Sequence, residues 1–130
     1  MNKNAEKWLQ ALESGDYPQS THCLKDKDGY CCLGVACDIF MKETGEGSWE
    51  QHKESTPQES LEVFVLDGEV ESGVLTSRVR EWLGLYDECG ASKDNPHGNA
   101  SCTNMNDHGA SFQHIAAILR KNEESYFKEI

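Results

Sequence analysis

Gly15, Gly45 and Gly84 each stand at the end of an apolar stripe of helical spacing, so the chain is cut into short amphipathic helices rather than one long one. Ala5, Trp8, Leu9 and Leu12 fall at i, i+3, i+4 and i+7, which predicts a helix over residues 3 to 14 closed by a left-handed Gly15. Leu33, Ala36, Ile39 and Phe40 predict a second helix over 31 to 43, with Asp28 as its N-cap and Gly45 as its stop. Val79, Trp82 and Leu83, after Thr76 or Ser77, predict a third, closed by Gly84. A last helix starts at a Ser111 cap, carries Phe112, Ile115, Ala116 and Leu119, and ends near Phe127. Gly34, inside the second helix, costs about 1 kcal/mol relative to Ala, which predicts close approach of another backbone or a ligand.

Asp16-Tyr17-Pro18 forces an extended path, and Lys25-Asp26-Lys27-Asp28-Gly29 reads as a solvated turn. Leu61 to Leu66 has strand composition, Asp67-Gly68 is a two-residue hairpin signal, and Glu69 to Val74 can return as the partner strand. Residues 42 to 60 lack apolar periodicity apart from Trp49 and read as a long surface excursion. Residues 87 to 106 are Gly-, Asn- and Ser-rich and read as loop, with at most one short strand. The expected fold class is α+β: a compact single domain over 1 to 130, three to four helices packed on a small antiparallel sheet, with helices 31 to 43 and 111 to 127 at the centre.

The 12 Lys and Arg are outnumbered by 23 Asp and Glu, and the net charge of −11 repels duplex nucleic acid. No apolar run approaches the roughly 20 residues that span a bilayer. The N-terminus has no apolar signal core, so the expectation is a cytoplasmic protein with no membrane partner. In that compartment Cys23, Cys31, Cys32, Cys37, Cys89 and Cys102 are expected as free thiols. The acidity itself has two readings, plain solubility or occupation of a host protein's basic surface, and self-association is left open.

Tyr30-Cys-Cys-Leu-Gly-Val-Ala-Cys-Asp38, with Trp8-Leu-Gln-Ala-Leu-Glu-Ser-Gly15 and Asp16-Tyr17-Pro18-Gln19, resembles a family of small uncharacterised bacteriophage and prophage proteins. Glu81-Trp82-Leu83-Gly84-Leu85 and Asn106-Asp107-His108-Gly109-Ala-Ser111-Phe112 to Ala116 are similar to that family's later elements, in the same order. Met105 stands where the family pattern has Leu, and Leu75-Thr76 replaces a Leu-Pro helix start. The resemblance implies a phage accessory protein, of the kind that often acts in counter-defence by capturing or degrading a nucleotide immune signal or by binding a host protein.

Three constellations could carry chemistry. With Asp28 as cap, Cys31 lies in the first helical turn, where free N–H groups and the helix dipole favour a thiolate, and Asn106-Asp107-His108 offers a base and an orienting group. Against this hydrolase reading, Asp28 and Asp38 raise a nearby thiol's pKa. The stretch from Asn106 to Ser111 equally explains itself as a loop-to-helix joint, with turn-forming Asn and Asp, a positive-φ Gly109 and a Ser111 cap. For metals, His22 with Cys23, Cys31 and Cys32, His97 with Cys102, and His108 with His114 all lack established ligand spacing, so neither metal nor cofactor is expected. The favoured reading is non-catalytic binding of a small ligand, a nucleotide being the concrete case, near Tyr30, Cys31, Asn106 and Asp107. Arg78 would serve as cation, Lys25 and Lys27 flank the second helix, and Tyr17, Tyr30, Trp49 and Trp82 are available to stack a base.

Overall fold

Helix α2 (Cys32–Thr44) is buried along its whole first half, from Cys32 to Asp38, and the other elements are arranged around it in a computed structural model that describes residues 1–95 and 100–129. Helix α1 (Lys3–Ser14) begins at Asn2, whose side chain accepts the Ala5 N–H at 2.8 Å. It buries the predicted Ala5, Trp8, Leu9 and Leu12 and ends at Gly15 with φ 80°. The Trp8 indole donates to the Cys32 carbonyl at 2.9 Å, tying α1 to the start of α2. Arg120 bridges Glu6 and Glu13 across the outside of α1, drawing the last long helix against it.

Asp28 is not the cap of α2. Strands β1 (Lys25–Asp26) and β2 (Gly29–Tyr30) form a hairpin whose turn is closed by Asp26, accepting the N–H groups of Asp28 and Gly29 at 2.9 and 3.2 Å. With Asp28 used inside that turn, the helix starts later, and Cys31 is the N-cap, its Sγ accepting the Gly34 N–H at 3.4 Å. The predicted close approach to Gly34 is made by backbone: an added Cβ would lie 1.9 Å from the Leu24 carbonyl oxygen.

Strand β4 (Glu62–Leu66) is the spine of the sheet, paired along one edge with β3 (Ser48–Gln51) and shared along the other between β1 and β5 (Glu69–Glu71), all antiparallel. Asp67 and Gly68, at φ 54° and 84°, make the predicted tight turn. The excursion expected over 42 to 60 is thus partly structured, because Trp49 packs edge-to-face on Phe64 at 5.1 Å and brings β3 with it. A half-exposed edge strand with one apolar residue carries no alternation that could announce it.

Helix α3 (Ser77–Leu83) follows, closed by Gly84 as predicted. The region read as loop then yields helix α4 (Cys102–Asp107), capped by Ser101, whose hydroxyl accepts the Asn104 N–H at 3.1 Å. Only Cys102 and Asn106 of α4 are buried, too few for a legible stripe. Helix α5 (Phe112–Lys121) starts at the predicted Ser111 cap but stops at Asn122, whose side chain takes the Ile118 carbonyl at 2.9 Å. A separate turn, α6 (Glu123–Tyr126), folds Tyr126 and Phe127 inward, Phe127 meeting Trp8 edge-to-face at 6.3 Å. The fold is α+β, with six helices among the described residues where three or four were expected. No helix of the described residues is long and apolar enough to cross a membrane.

Candidate ligand site

Asn106 is fully buried and has no capacity left for a ligand. Its Oδ1 accepts from Gln19 Nε2 at 2.9 Å and from the Cys32 N–H at 3.2 Å, while its Nδ2 donates to the Ser20 carbonyl at 2.9 Å. It therefore pins the extended 19–20 segment to the start of α2 and occupies one of the N–H groups an anion would have needed. Asp107 accepts the His22 N–H at 2.8 Å, and its second oxygen lies 3.4 Å from His22 Nδ1; His22 itself is held at φ 64°. Both residues lie in the last turn of α4, not in a loop.

The Cys31 and His108 of the hydrolase reading each engage other groups, with no hydrogen bond between them among the described residues. Cys31 is buried as the helix cap; its bond to Cys32 and its burial push its thiol well above the ordinary range, the opposite of an activated thiolate. The His108 ring faces the Asn104 carbonyl at 2.9 Å. Arg78 also stands apart from Tyr30. Its guanidinium pairs with Glu46 and Asp67 over the Phe40 ring, at the C-terminal end of α2, while Tyr30 is at the N-terminal end. Trp82 stacks edge-to-face on the same Phe40 at 5.4 Å.

What the fold does assemble is an aromatic and cationic face. Tyr17 meets Tyr30 at 5.1 Å between ring centroids and Tyr30 meets Trp49 at 6.1 Å, both edge-to-face, and all three rings are half-buried. Lys25 Nζ lies 5.2 Å from the Tyr30 ring and 5.3 Å from that of Trp49, and Lys42 Nζ lies 5.4 Å from Tyr17. Four pieces of chain distant in sequence supply these groups: the 16–18 turn, the β1–β2 hairpin, α2 and β3.

Asp38 holds the face from behind. This carboxylate, 4% exposed, accepts from Tyr17 Oη at 2.6 Å, Trp49 Nε1 at 3.2 Å and Lys42 Nζ at 2.9 Å. Burial pushes its pKa up, but the donors from Tyr17, Lys42 and Trp49 outweigh it and hold the acid below its ordinary 3.8. Burial and the same carboxylate push the Tyr17 phenol up to about 12, so it stays a donor. Sequence reading missed Asp38 and Lys42 as site residues, although their i, i+4 spacing on a helix was a usable signal.

A stability prediction follows from Asp38. A carboxyl whose folded pKa is depressed stabilises the fold above its unfolded pKa and loses that contribution as pH falls through the folded value. Urea unfolding of the wild type and Asp38→Asn is expected to differ by a constant amount above about pH 5, the gap closing below about pH 4. A gap independent of pH down to 2.5 would show that the ionised carboxylate is not what holds the face.

Of the metal candidates, His22 is exposed while Cys31 and Cys32 are buried at the start of α2, and His97 lies outside the described residues. Among the described residues no three His, Cys, Asp or Glu side chains are placed to hold a metal. All six cysteines are free thiols, and burial with the Asp26 carboxylate pushes Cys23 up to about 12. A family model described as a domain of unknown function, DUF8296, matches residues 1–123. No curated protein and no solved structure matches the chain.

Proposed function

The chain belongs to the DUF8296 family, and from that premise we propose that it captures a small anionic ligand with a flat ring, a nucleotide being the concrete class, on the face of Tyr17, Tyr30 and Trp49. The observation that carries this reading is the convergence of three partly exposed rings and two ammonium groups in a chain of net charge −11. A base edge or face packs on the rings, and phosphate draws Lys25 and Lys42 from their carboxylate partners Glu62 and Asp38. Capture without cleavage is favoured by the inward-facing Cys31 and by the separate engagement of His108. In the accessory role implied by resemblance to phage and prophage proteins, the ligand is a nucleotide immune signal and the site of action is the cytoplasm of an infected or lysogenic bacterium.

The test is incubation of the purified protein with a panel of linear and cyclic nucleotides, filtration, and chromatography of the filtrate before and after heat denaturation of the retained protein. Depletion of a nucleotide that heat returns intact is the expected result. Trp49→Ala and Lys25→Ala should each weaken capture on the order of tenfold, equivalent to about 1.4 kcal/mol, a size typical of one stacking or cationic contact. New peaks in the filtrate would replace capture by catalysis. Passage of every nucleotide unchanged would remove this ligand class.

A further inference from the structure

Five of the six cysteines are buried, and two of them meet across helices far apart in sequence. Cys32 opens α2 and Cys102 opens α4. Both are fully buried, and Cys32 Sγ lies 3.4 Å from the Cys102 carbonyl oxygen and beside the Cys102 thiol. The neighbouring thiols are otherwise engaged. Cys31 Sγ accepts the Gly34 N–H, and a ring closed between Cys31 and Cys32, adjacent in sequence, would be badly strained. Cys23 turns its thiol to the Thr21 carbonyl and the Asp26 carboxylate, at 3.5 and 3.4 Å. Access governs what the pair can do. Burial, then the Cys102 neighbour, hold the Cys32 thiol well above its ordinary range, so it is inert while the fold is closed. Over Cys102 lies the Gly90 backbone, where an added Cβ would stand 2.5 Å from the sulfur. Helix α4 is short and rests on two buried residues, with the Cys102 and Thr103 N–H groups tied to the Gly90 and Cys89 carbonyls at 3.1 and 3.2 Å. Such an element opens locally at less cost than global unfolding.

We infer that Cys32 and Cys102 form a redox latch, in which a hydroperoxide admitted by opening of α4 converts the two thiols to a disulfide that fastens α4 to α2. The Cys102 sulfur, as thiolate, attacks hydrogen peroxide; the O–O bond breaks, an S–O bond forms and one water leaves. Cys32 then attacks the sulfenic sulfur, the S–S bond forms, and the departing hydroxide leaves as the second water. The protons shed by the two thiols complete both waters, and the two electrons lost by sulfur are gained by the peroxide. Asn106 and Asp107 of α4 hold the backbone at Ser20 and His22, so closing the latch also stiffens that segment.

Treatment of the reduced, intact protein with hydrogen peroxide, followed by unfolding, alkylation and mass spectrometry, tests this. The expected product takes up two alkyl groups fewer than the six of the untreated protein, and its fragment spectra join Cys32 to Cys102. Its thermal midpoint should rise on the order of 10 °C, because the bond closes a loop between residues 70 apart, and should fall back when a thiol reductant is added. Asn106→Ala, which loosens α4, should oxidise about tenfold faster or more. Cys102→Ser should keep all its remaining thiols free, and the wild-type cross-link map decides by itself if that variant does not fold. Six free thiols after peroxide, oxidation that runs to sulfinic acid, or a disulfide joining any other pair would overturn the inference. So would an oxidised protein no more stable than the reduced one.

Discussion

Gly34→Ala is expected to lower the thermal midpoint by roughly 10 °C, corresponding to about 3 kcal/mol for a domain of this size. The new Cβ would stand 1.9 Å from the Leu24 carbonyl oxygen and 2.8 Å from its carbon, contacts that no packed structure tolerates. Retreat of that carbonyl is itself costly, because it accepts the Cys31 N–H at 3.1 Å and its residue's own N–H donates to the Ser72 carbonyl at 2.7 Å. The gain of about 1 kcal/mol from replacing a helical glycine by alanine opposes the effect without cancelling it. Gly45→Ala is the comparison. There nothing lies within 4 Å of the added methyl, and only the left-handed φ of 74° is penalised, at about 1 kcal/mol. Thermal unfolding followed by circular dichroism separates the two. An unchanged or raised midpoint for Gly34→Ala would mean that the Leu24 backbone does not close on α2 as described.

Asn106→Ala is expected to cost a similar amount, about 3 kcal/mol, by a different route. The side chain is fully buried, and its removal leaves the Cys32 N–H, the Ser20 carbonyl and Gln19 Nε2 each without that partner. Asn106→Asp preserves the shape and the acceptor but turns the donor into a second acceptor, aimed at the Ser20 carbonyl and beside Asp107. It should be at least as destabilised near neutral pH and should recover partly in acid, where a protonated carboxyl donates again. Hydrogen exchange reports the location: residues 19 to 22 should lose protection first in either variant, since Asn106 and Asp107 fasten that segment to α4 while Tyr30 accepts the Ser20 N–H from the other side. Wild-type stability and exchange in Asn106→Ala would show that the segment is fixed by other means, and Asn106 would be free for a ligand after all.

The helices with a stripe and a cap are legible in the sequence. Ala5 to Leu12 and Phe112 to Leu119 declare their faces by spacing, and Asn2 apart, the punctuation at Gly15, Gly45, Gly84 and Ser111 stands where helices begin or end. The Asp67-Gly68 turn was equally plain. What misled was competition between neighbours for the same local role. Asp26 closes the turn that seemed to leave Asp28 free to cap α2, and α5 closes at Asn122, whose backbone N–H makes the last helical bond to the Ile118 carbonyl while its side chain donates to the same oxygen. Strand β3 and helix α4 were hidden because each rests on one or two buried residues, Trp49 in the first and Cys102 with Asn106 in the second.

The same division runs through the site. Tyr17, Tyr30, Trp49 and Lys25 were singled out by residue type, but as single candidates among others such as Trp82 and Arg78, which the fold places at the far end of α2. Local pattern by itself determined the class of fold, the apolar faces and the residue types able to stack or pair, because those depend on spacing within a turn or a strand. Only the tertiary structure decided which of them meet. Asn106 was spent on the backbone of the 19–20 segment and of Cys32, Cys31 was turned inward as a cap, and Asp38 was set behind two rings and a lysine drawn from three separate stretches of chain. Contacts between such distant segments follow from how buried polar groups find partners in the packed interior, and no period in the sequence encodes that pairing.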